Sequence, residues 1–297
     1  MDGVLIIDKP VGLTSHDVVN RVRRVFNTRK VGHTGTLDPF ATGVMVMLIG
    51  KATRLAKFAD RADKEYEAAV QFGIATDTGD LTGKPIGDTG RSDISSEEIE
   101  NVLERFRGKI MQVPPMYSAK KIDGKKLYEL ARRGEEIERP AVPVTINEIE
   151  VRASGSEPHD VHRIRVRCSA GTYIRVLAED IAKTLGTVAH LKELRRTASG
   201  RFLLENSVTL DALAEAAEPS KCLLPMEVLI EGMPRLLLNS DRVQKTLNGL
   251  SSRVFGVAFD ADQTIAMLSE NNDLVAIGKF VEAENVVQPT LVLGEKI

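Results

Sequence analysis

Val31–Val44 reads VGHTGTLDPFATGV, and the apolar run Val44–Ile49, VMVMLI, continues from it without a break. Glycine, threonine and proline crowd the first part, which therefore reads as a loop. The second part is short, continuous and apolar, the pattern of a strand buried on both faces. Within the loop stands one carboxylate, Asp38, followed by Pro39. A loop held between rigid elements is where scaffolds present reactive groups. Asp-Pro is equally a common way to open a turn, and the dipeptide alone does not separate the two readings.

Toward the N-terminus, GVLIID (Gly3–Asp8) reads as a strand that turns at Lys9-Pro10. Thr14-Ser15 offers a helix cap, and Val18, Val19, Val22 and Phe26 follow at helical spacing. Arg21, Arg23, Arg24, Arg29 and Lys30 lie on or just beyond the polar side of that helix. Toward the C-terminus, the spacing predicts a helix over Lys51–Asp60 and a strand over Tyr66–Phe72, with turn chemistry in DTGDLTG (Asp77–Gly83). Ser95-Ser96-Glu97-Glu98 opens a helix running to about Arg107. Met111–Arg139 is a basic arm with one helix near Lys126–Arg133. Pro143–Val151 and Val161–Cys168 read as paired strands, and Tyr173–Leu185 as an amphipathic helix stopped by Gly186. A short helix is expected near Leu210–Ala217. Pro234 marks the expected boundary between a domain over 1–234 and a small β domain over 235–297. The strands of the latter are read in Leu236–Leu238, Val254–Phe259, Ile265–Leu268 and Leu274–Phe280.

The 297 residues suit about two domains, and 42% hydrophobic with 28% charged residues is an ordinary globular balance. Two cysteines, Cys168 and Cys222, cannot build a disulfide framework. No apolar run has membrane-span length, and MDGVLIIDKP has acids where an export signal needs bases, so the expected location is cytoplasmic. A net charge of −2 and the absence of tryptophan argue weakly against a nucleic-acid binder. The charge is uneven, however. Residues 1–60, 101–140 and 141–200 carry +4, +4 and +2, while 61–100 carries −6 and 201–234 carries −4. Local fields steer a ligand, so a slightly acidic chain can still present a basic groove.

Arg175, in GTYIR at the start of a helix, is the second candidate for chemistry. Beside a buried aspartate, a bidentate arginine fork would keep the carboxylate ionised and oriented; alone, Arg175 reads as an ordinary ion pair. The chain has only four tyrosines, Tyr66, Tyr117, Tyr128 and Tyr173. Tyr66 and Tyr173 can serve as stacking platforms for bases or as core residues with a wet hydroxyl. His159 and His162 lack further ligands at a convincing spacing, so no metal site is expected, and no Walker loop or GxGxxG occurs.

Several segments together resemble one family, the bacterial tRNA pseudouridine synthases that act on the T-loop uridine at tRNA position 55. They are Ile6–Val19, Lys30–Leu55, Lys64–Gly83, Gln112–Gly134, Cys168–Gly186 and Ala189–Phe202. The pairing of GTLDP with a distant GTYIR is the most specific element, while the similarity of the last segment to an appended β-barrel RNA-binding domain is loose. The resemblance implies an α/β (α+β) fold: a mixed, largely antiparallel central sheet with flanking helices and an active-site cleft, plus the small β-barrel-like C-terminal domain. By position, Asp38 matches the catalytic aspartate, Arg175 its paired arginine, and Tyr66 the tyrosine stacked on the target base. His33, Tyr173 and Leu194 match residues around the flipped uridine, and Lys9-Pro10 matches a flanking pair with a structural role. Lys120-Lys121 stands where relatives often read Ala-Leu-Lys, which alters charge in the arm.

The implied reaction breaks N1–C1′, turns the base and forms C5–C1′, with no net redox change. It asks for a carboxylate against the sugar and a dry pocket, and for neither metal nor cofactor. The target must be flipped out of a folded loop. The implied partner is the T stem-loop of tRNA, met by a monomer with no obligatory protein partner. Arg21, Arg24, Lys120, Lys121, Lys125, Lys126 and Arg132 are the candidate contacts to RNA phosphates. Competing readings are a non-catalytic tRNA-binding or folding chaperone, a guide-dependent synthase subunit, and a glycoside hydrolase, which would need a second carboxylate.

Overall fold

The strand that organises the molecule is β4 (Lys64–Phe72), whose Tyr66, Ala68, Val70 and Phe72 alternate onto one face. The structure is a computed structural model describing residues 1–59, 62–118, 120–122, 124–131, 133–152 and 158–294; for residues 121, 122, 125 and 126 it describes the backbone alone. The other main strands of this ten-stranded sheet are β1 (Gly3–Lys9), β2 (Val31–His33), β3 (Thr42–Ile49), β5 (Gly108–Gln112), β6 (Val142–Arg152), β7 (Val161–Cys168) and β8 (Ala189–Ser199), with two-residue strands at Phe202–Leu203 and Val208–Thr209. The order β1-β3-β8-β4-β7-β6-β5 runs across it, and β2 pairs with β3. β8 lies parallel to β3, whereas the β8–β4, β4–β7, β7–β6 and β6–β5 pairs are antiparallel. The sheet is mixed and largely antiparallel, as expected.

Helices α1 (Ser15–Val25), α2 (Ser96–Leu103), α3 (Leu127–Ala131) and α4 (Ile174–Thr184) belong to this part, as does the short helix expected near Leu210, observed over Leu210–Glu215. α1 and α2 each open with a reciprocal capping box, Thr14 with Asp17 and Ser95 with Glu98. Ile99 and Leu103 of α2 and Ile174, Leu177 and Ile181 of α4 pack with Val70, Ile164, Val166 and Leu191 of the sheet in one buried cluster. Removing a fully buried leucine such as Leu103 from such a core costs about 2–5 kcal/mol.

Two of the longer strands of this sheet are not apparent from the sequence pattern. Ala189–Ser199 is a central strand, but register shifts between Leu191 and Glu193 and between Arg196 and Ala198 break its two-residue period. Gly108–Gln112 is short and mostly exposed, so it has little apolar alternation to read. Val31–His33, expected as loop, is a short strand on β3. Lys51–Asp60, expected as one helix, is a 3-10 turn over Gly50–Leu55 followed by a short α-helix over Ala56–Ala59.

Packing divides the chain into two compact units: Leu5–Leu48 with Asp60–Leu223, and Met1–Val4 with Ile49–Ala59 and Leu224–Ile297. The second contains an open five-stranded sheet, half of a barrel, over Arg235–Leu238, Thr264–Ser269, Leu274–Val281, Val286–Val292 and Ser252–Arg253 in that spatial order. Its core gathers Leu236, Leu238, Leu247, Ile265, Met267, Phe280 and Val287. Val254–Phe259 is not a strand, despite its apolar run, whereas Ser240–Leu247 is a helix and Val286–Val292 a further strand that runs through Pro289. Among the described residues, no helix is long and apolar enough to cross a membrane.

Candidate active site

The GTLDP loop joins β2 to β3 and is tied down on every side. Lys9, fully buried at the end of β1, donates from Nζ to the carbonyls of Pro10 (2.9 Å), Pro39 (3.2 Å) and Ala41 (2.7 Å). Burial pushes its pKa down to about 8, opposed by the nearby Asp38 charge. Ser15 Oγ donates to Leu37 O and accepts from Leu37 N at 3.0 and 2.9 Å, and Gly12 N donates to Pro39 O at 2.8 Å. At Gly43 the backbone has φ +100° and runs against β8, so a Cβ there would meet Arg196 O at 2.2 Å. Only glycine fits. These contacts aim Asp38 into a cavity of about 290 Å³, the scale of a single small ligand.

Arg175, on the first turn of α4, enters the same cavity. Its Nε lies 2.9 Å from Asp38 Oδ2, and its two terminal nitrogens donate to Thr78 O (2.6 Å) and Tyr117 O (2.7 Å). The bidentate fork expected on the carboxylate is thus a single contact, because backbone carbonyls occupy the rest of the guanidinium. Asp80 Oδ2 lies 3.9 Å from Arg175 Nε. Asp80 is buried, and its Oδ1 accepts from Thr78 Oγ1, Thr82 N and Thr82 Oγ1. Burial pushes the Asp38 carboxyl above its ordinary value, Arg175 pulls against that rise, and Asp80 adds to it.

Tyr66, Tyr173 and Leu194 line the cavity with Asp38 and Arg175. Burial raises the phenol pKa of both tyrosines, so each hydroxyl is protonated at neutral pH. His33 is not among the lining residues. Its Nδ1 accepts from Gly35 N at 3.2 Å at the entry to the loop, and burial lowers its pKa. Arg21 and Arg24 are exposed on α1, and Lys120 is half-buried. Arg132 and the side chains of Lys121, Lys125 and Lys126 lie outside the described residues.

Sequence reasoning does not single out Asp80, Lys64, Ser118 or Arg196. Asp80 is absorbed into turn chemistry, where its Thr-Gly-Asp-Leu-Thr setting is the available signal. Arg196 is 2% exposed and is the cross-strand neighbour of Tyr66; its Nε donates to Val44 O at 2.6 Å. Cys168, with its thiol pushed up to about 11 by burial, is an inert core residue.

A family model described as the TruB family pseudouridylate synthase (N terminal domain) matches residues 23–174, and one for the tRNA pseudouridylate synthase B C-terminal domain matches 175–231. The chain is 41% identical to tRNA pseudouridine synthase B of Solibacter usitatus, over 99% of this chain and 100% of that protein. Identity is 43% to the same-named protein of Neisseria meningitidis serogroup B, covering 94% and 90%, and 48% to that of Bordetella pertussis, covering 78% and 95%. Among solved structures, a Cbf5-Nop10-Gar1 complex matches with a TM-score of 0.76 and 28% identity, over 99% of this chain and 85% of that one.

Proposed function

The chain belongs to the TruB family of pseudouridylate synthases, and from that premise we infer that it isomerises a uridine of tRNA, the T-loop uridine, to pseudouridine. The observation that carries the reading is the Asp38–Arg175 pair at 2.9 Å on a cavity of single-ligand size. In this reading the flipped nucleotide enters with its sugar toward Asp38 and its base toward Tyr66 and Leu194. The Asp38 carboxylate acts on the sugar as the N1–C1′ bond breaks. The freed base turns within the cavity, C5 bonds to C1′, and the C5 proton is lost while N1 gains one, so nothing is oxidised or hydrolysed. Arg175 holds the carboxylate in its reactive orientation, and the protonated Tyr66 phenol lies along the base.

The same reading takes Arg21, Arg24 and Lys120 as phosphate contacts, His33 and Tyr173 as groups around the flipped uridine, and 235–297 as an added RNA-binding domain. It describes a cytoplasmic monomer acting without a protein partner. The test is incubation with unmodified tRNA and mapping of pseudouridine by carbodiimide-dependent primer-extension stops. A T-loop stop that disappears with Asp38→Asn, while RNA affinity is retained, is the expected result; no stop with the wild-type protein would overturn the assignment.

A further inference from the structure

Of the five buried polar side-chain atoms without a hydrogen-bond partner among the described residues, only Ser118 Oγ belongs to a residue lining the cavity. Ser118 is 5% exposed, and its hydroxyl sits beside the Tyr173 phenol without the geometry of a hydrogen bond. Its backbone, by contrast, is held: Ser118 N donates to Met116 O at 3.0 Å, and Tyr128 N donates to Ser118 O at 3.1 Å. A buried hydroxyl left unpaired costs stability, so its presence on a cavity wall calls for a partner that arrives with the ligand.

The neighbouring residue fixes which end of the ligand that is. The Tyr117 carbonyl accepts from Arg175, and Arg175 contacts Asp38 through Nε. Ser118 thus lines the same cavity as Asp38, next in sequence to the carbonyl that holds the aspartate's arginine, and in the proposed binding mode this is the sugar end. A serine hydroxyl both donates and accepts, as does a ribose hydroxyl, and the 2′-hydroxyl is the group that marks RNA against DNA. We propose that Ser118 is a substrate-contacting residue whose hydroxyl pairs with the ribose 2′-hydroxyl of the target nucleotide. The proposal rests on the reading that this cavity takes the flipped uridine.

The test measures binding to two T stem-loop RNAs, carrying uridine or 2′-deoxyuridine at the target position. Asp38→Asn provides a non-reacting background, into which Ser118→Ala is introduced. Ser118→Ala is expected to weaken binding of the uridine RNA about tenfold, the scale of one hydrogen bond, and to leave the 2′-deoxyuridine RNA unaffected. The variant's melting temperature should hold or rise, because the hydroxyl it removes is unpaired in the free protein; a structural serine would lower it. Equal loss on both RNAs, or loss on neither, overturns the proposal. Turnover of the uridine RNA by the wild-type protein is measured alongside. Its absence would strike the functional reading itself, whereas turnover with equal losses strikes only the role of Ser118.

Discussion

Arg175 and Arg165 stand on one scaffold and face carboxylates, yet their surroundings give them opposite uses. Arg175 has a side chain 5% exposed, with both terminal nitrogens on backbone carbonyls and Nε on Asp38. Arg165, on β7, is 26% exposed and shares itself among Glu65, Glu148 and Glu150 across neighbouring strands. Protein surrounds the Arg175 guanidinium, so its geometry is fixed, while Asp38, 33% exposed, opens onto the cavity. Water and salt reach the second, where three partners can exchange with little change in energy. The difference shows that an ion pair becomes chemistry when the rest of the guanidinium is committed elsewhere.

The largest effect is expected from Arg175→Lys. An ammonium keeps the charge but cannot reach Thr78 O, Tyr117 O and Asp38 together. Turnover is expected to fall about 10²–10³-fold with RNA affinity largely kept, measured as single-turnover rate against Kd. An effect under threefold would show that charge alone suffices. The pH profile sharpens the point. In the proposed reaction Asp38 works as a carboxylate, and its pKa lies above the ordinary 3.8. Turnover therefore falls as pH drops through that raised pKa, giving an acid limb at higher pH than an ordinary aspartate would. With Arg175→Lys the specific hydrogen bond that lowers the pKa is lost, so the limb moves to still higher pH; a limb that stays in place would contradict the assigned cause.

A smaller effect is expected one step back from the chemistry. Lys9→Met removes the donor shared by three carbonyls around the GTLDP loop. Leaving buried carbonyls unpaired should lower unfolding stability by about 1–3 kcal/mol, read from denaturant midpoints. The smallest effect belongs to the partly exposed Arg165 network. Arg165→Ala should cost under about 1 kcal/mol, less in high salt, with turnover unchanged. A loss larger than that of Lys9→Met would reverse the contrast between buried and exposed cations.

The parts of the fold that follow a clean local period are legible in the amino-acid order alone. β4, β7 and α4 announce themselves through alternation or helical spacing, and the turn at Gly186 closes α4. β8 is not legible, because its two register shifts move side chains between faces out of phase. In the second compact unit, the apolar run Val254–Phe259 misleads because hydrophobicity without a strand partner does not make a strand; Phe255 and Val257 are exposed.

The candidate site divides in the same way. Asp38 in a glycine- and threonine-rich loop, Arg175 at a helix start and scarce tyrosines are local signals, and the sequence by itself determined them together with the family they match. Their neighbours are set by the fold. Thr78, Asp80, Tyr117 and Ser118 reach Arg175 or the cavity through chain segments that the sheet brings together. The physical reason is that capping, periodicity and turn chemistry are short-range codes, whereas burial and the identity of a buried polar group's partner arise from long-range packing. Asp80 is a turn residue by sequence and a buried carboxylate beside Arg175 by fold.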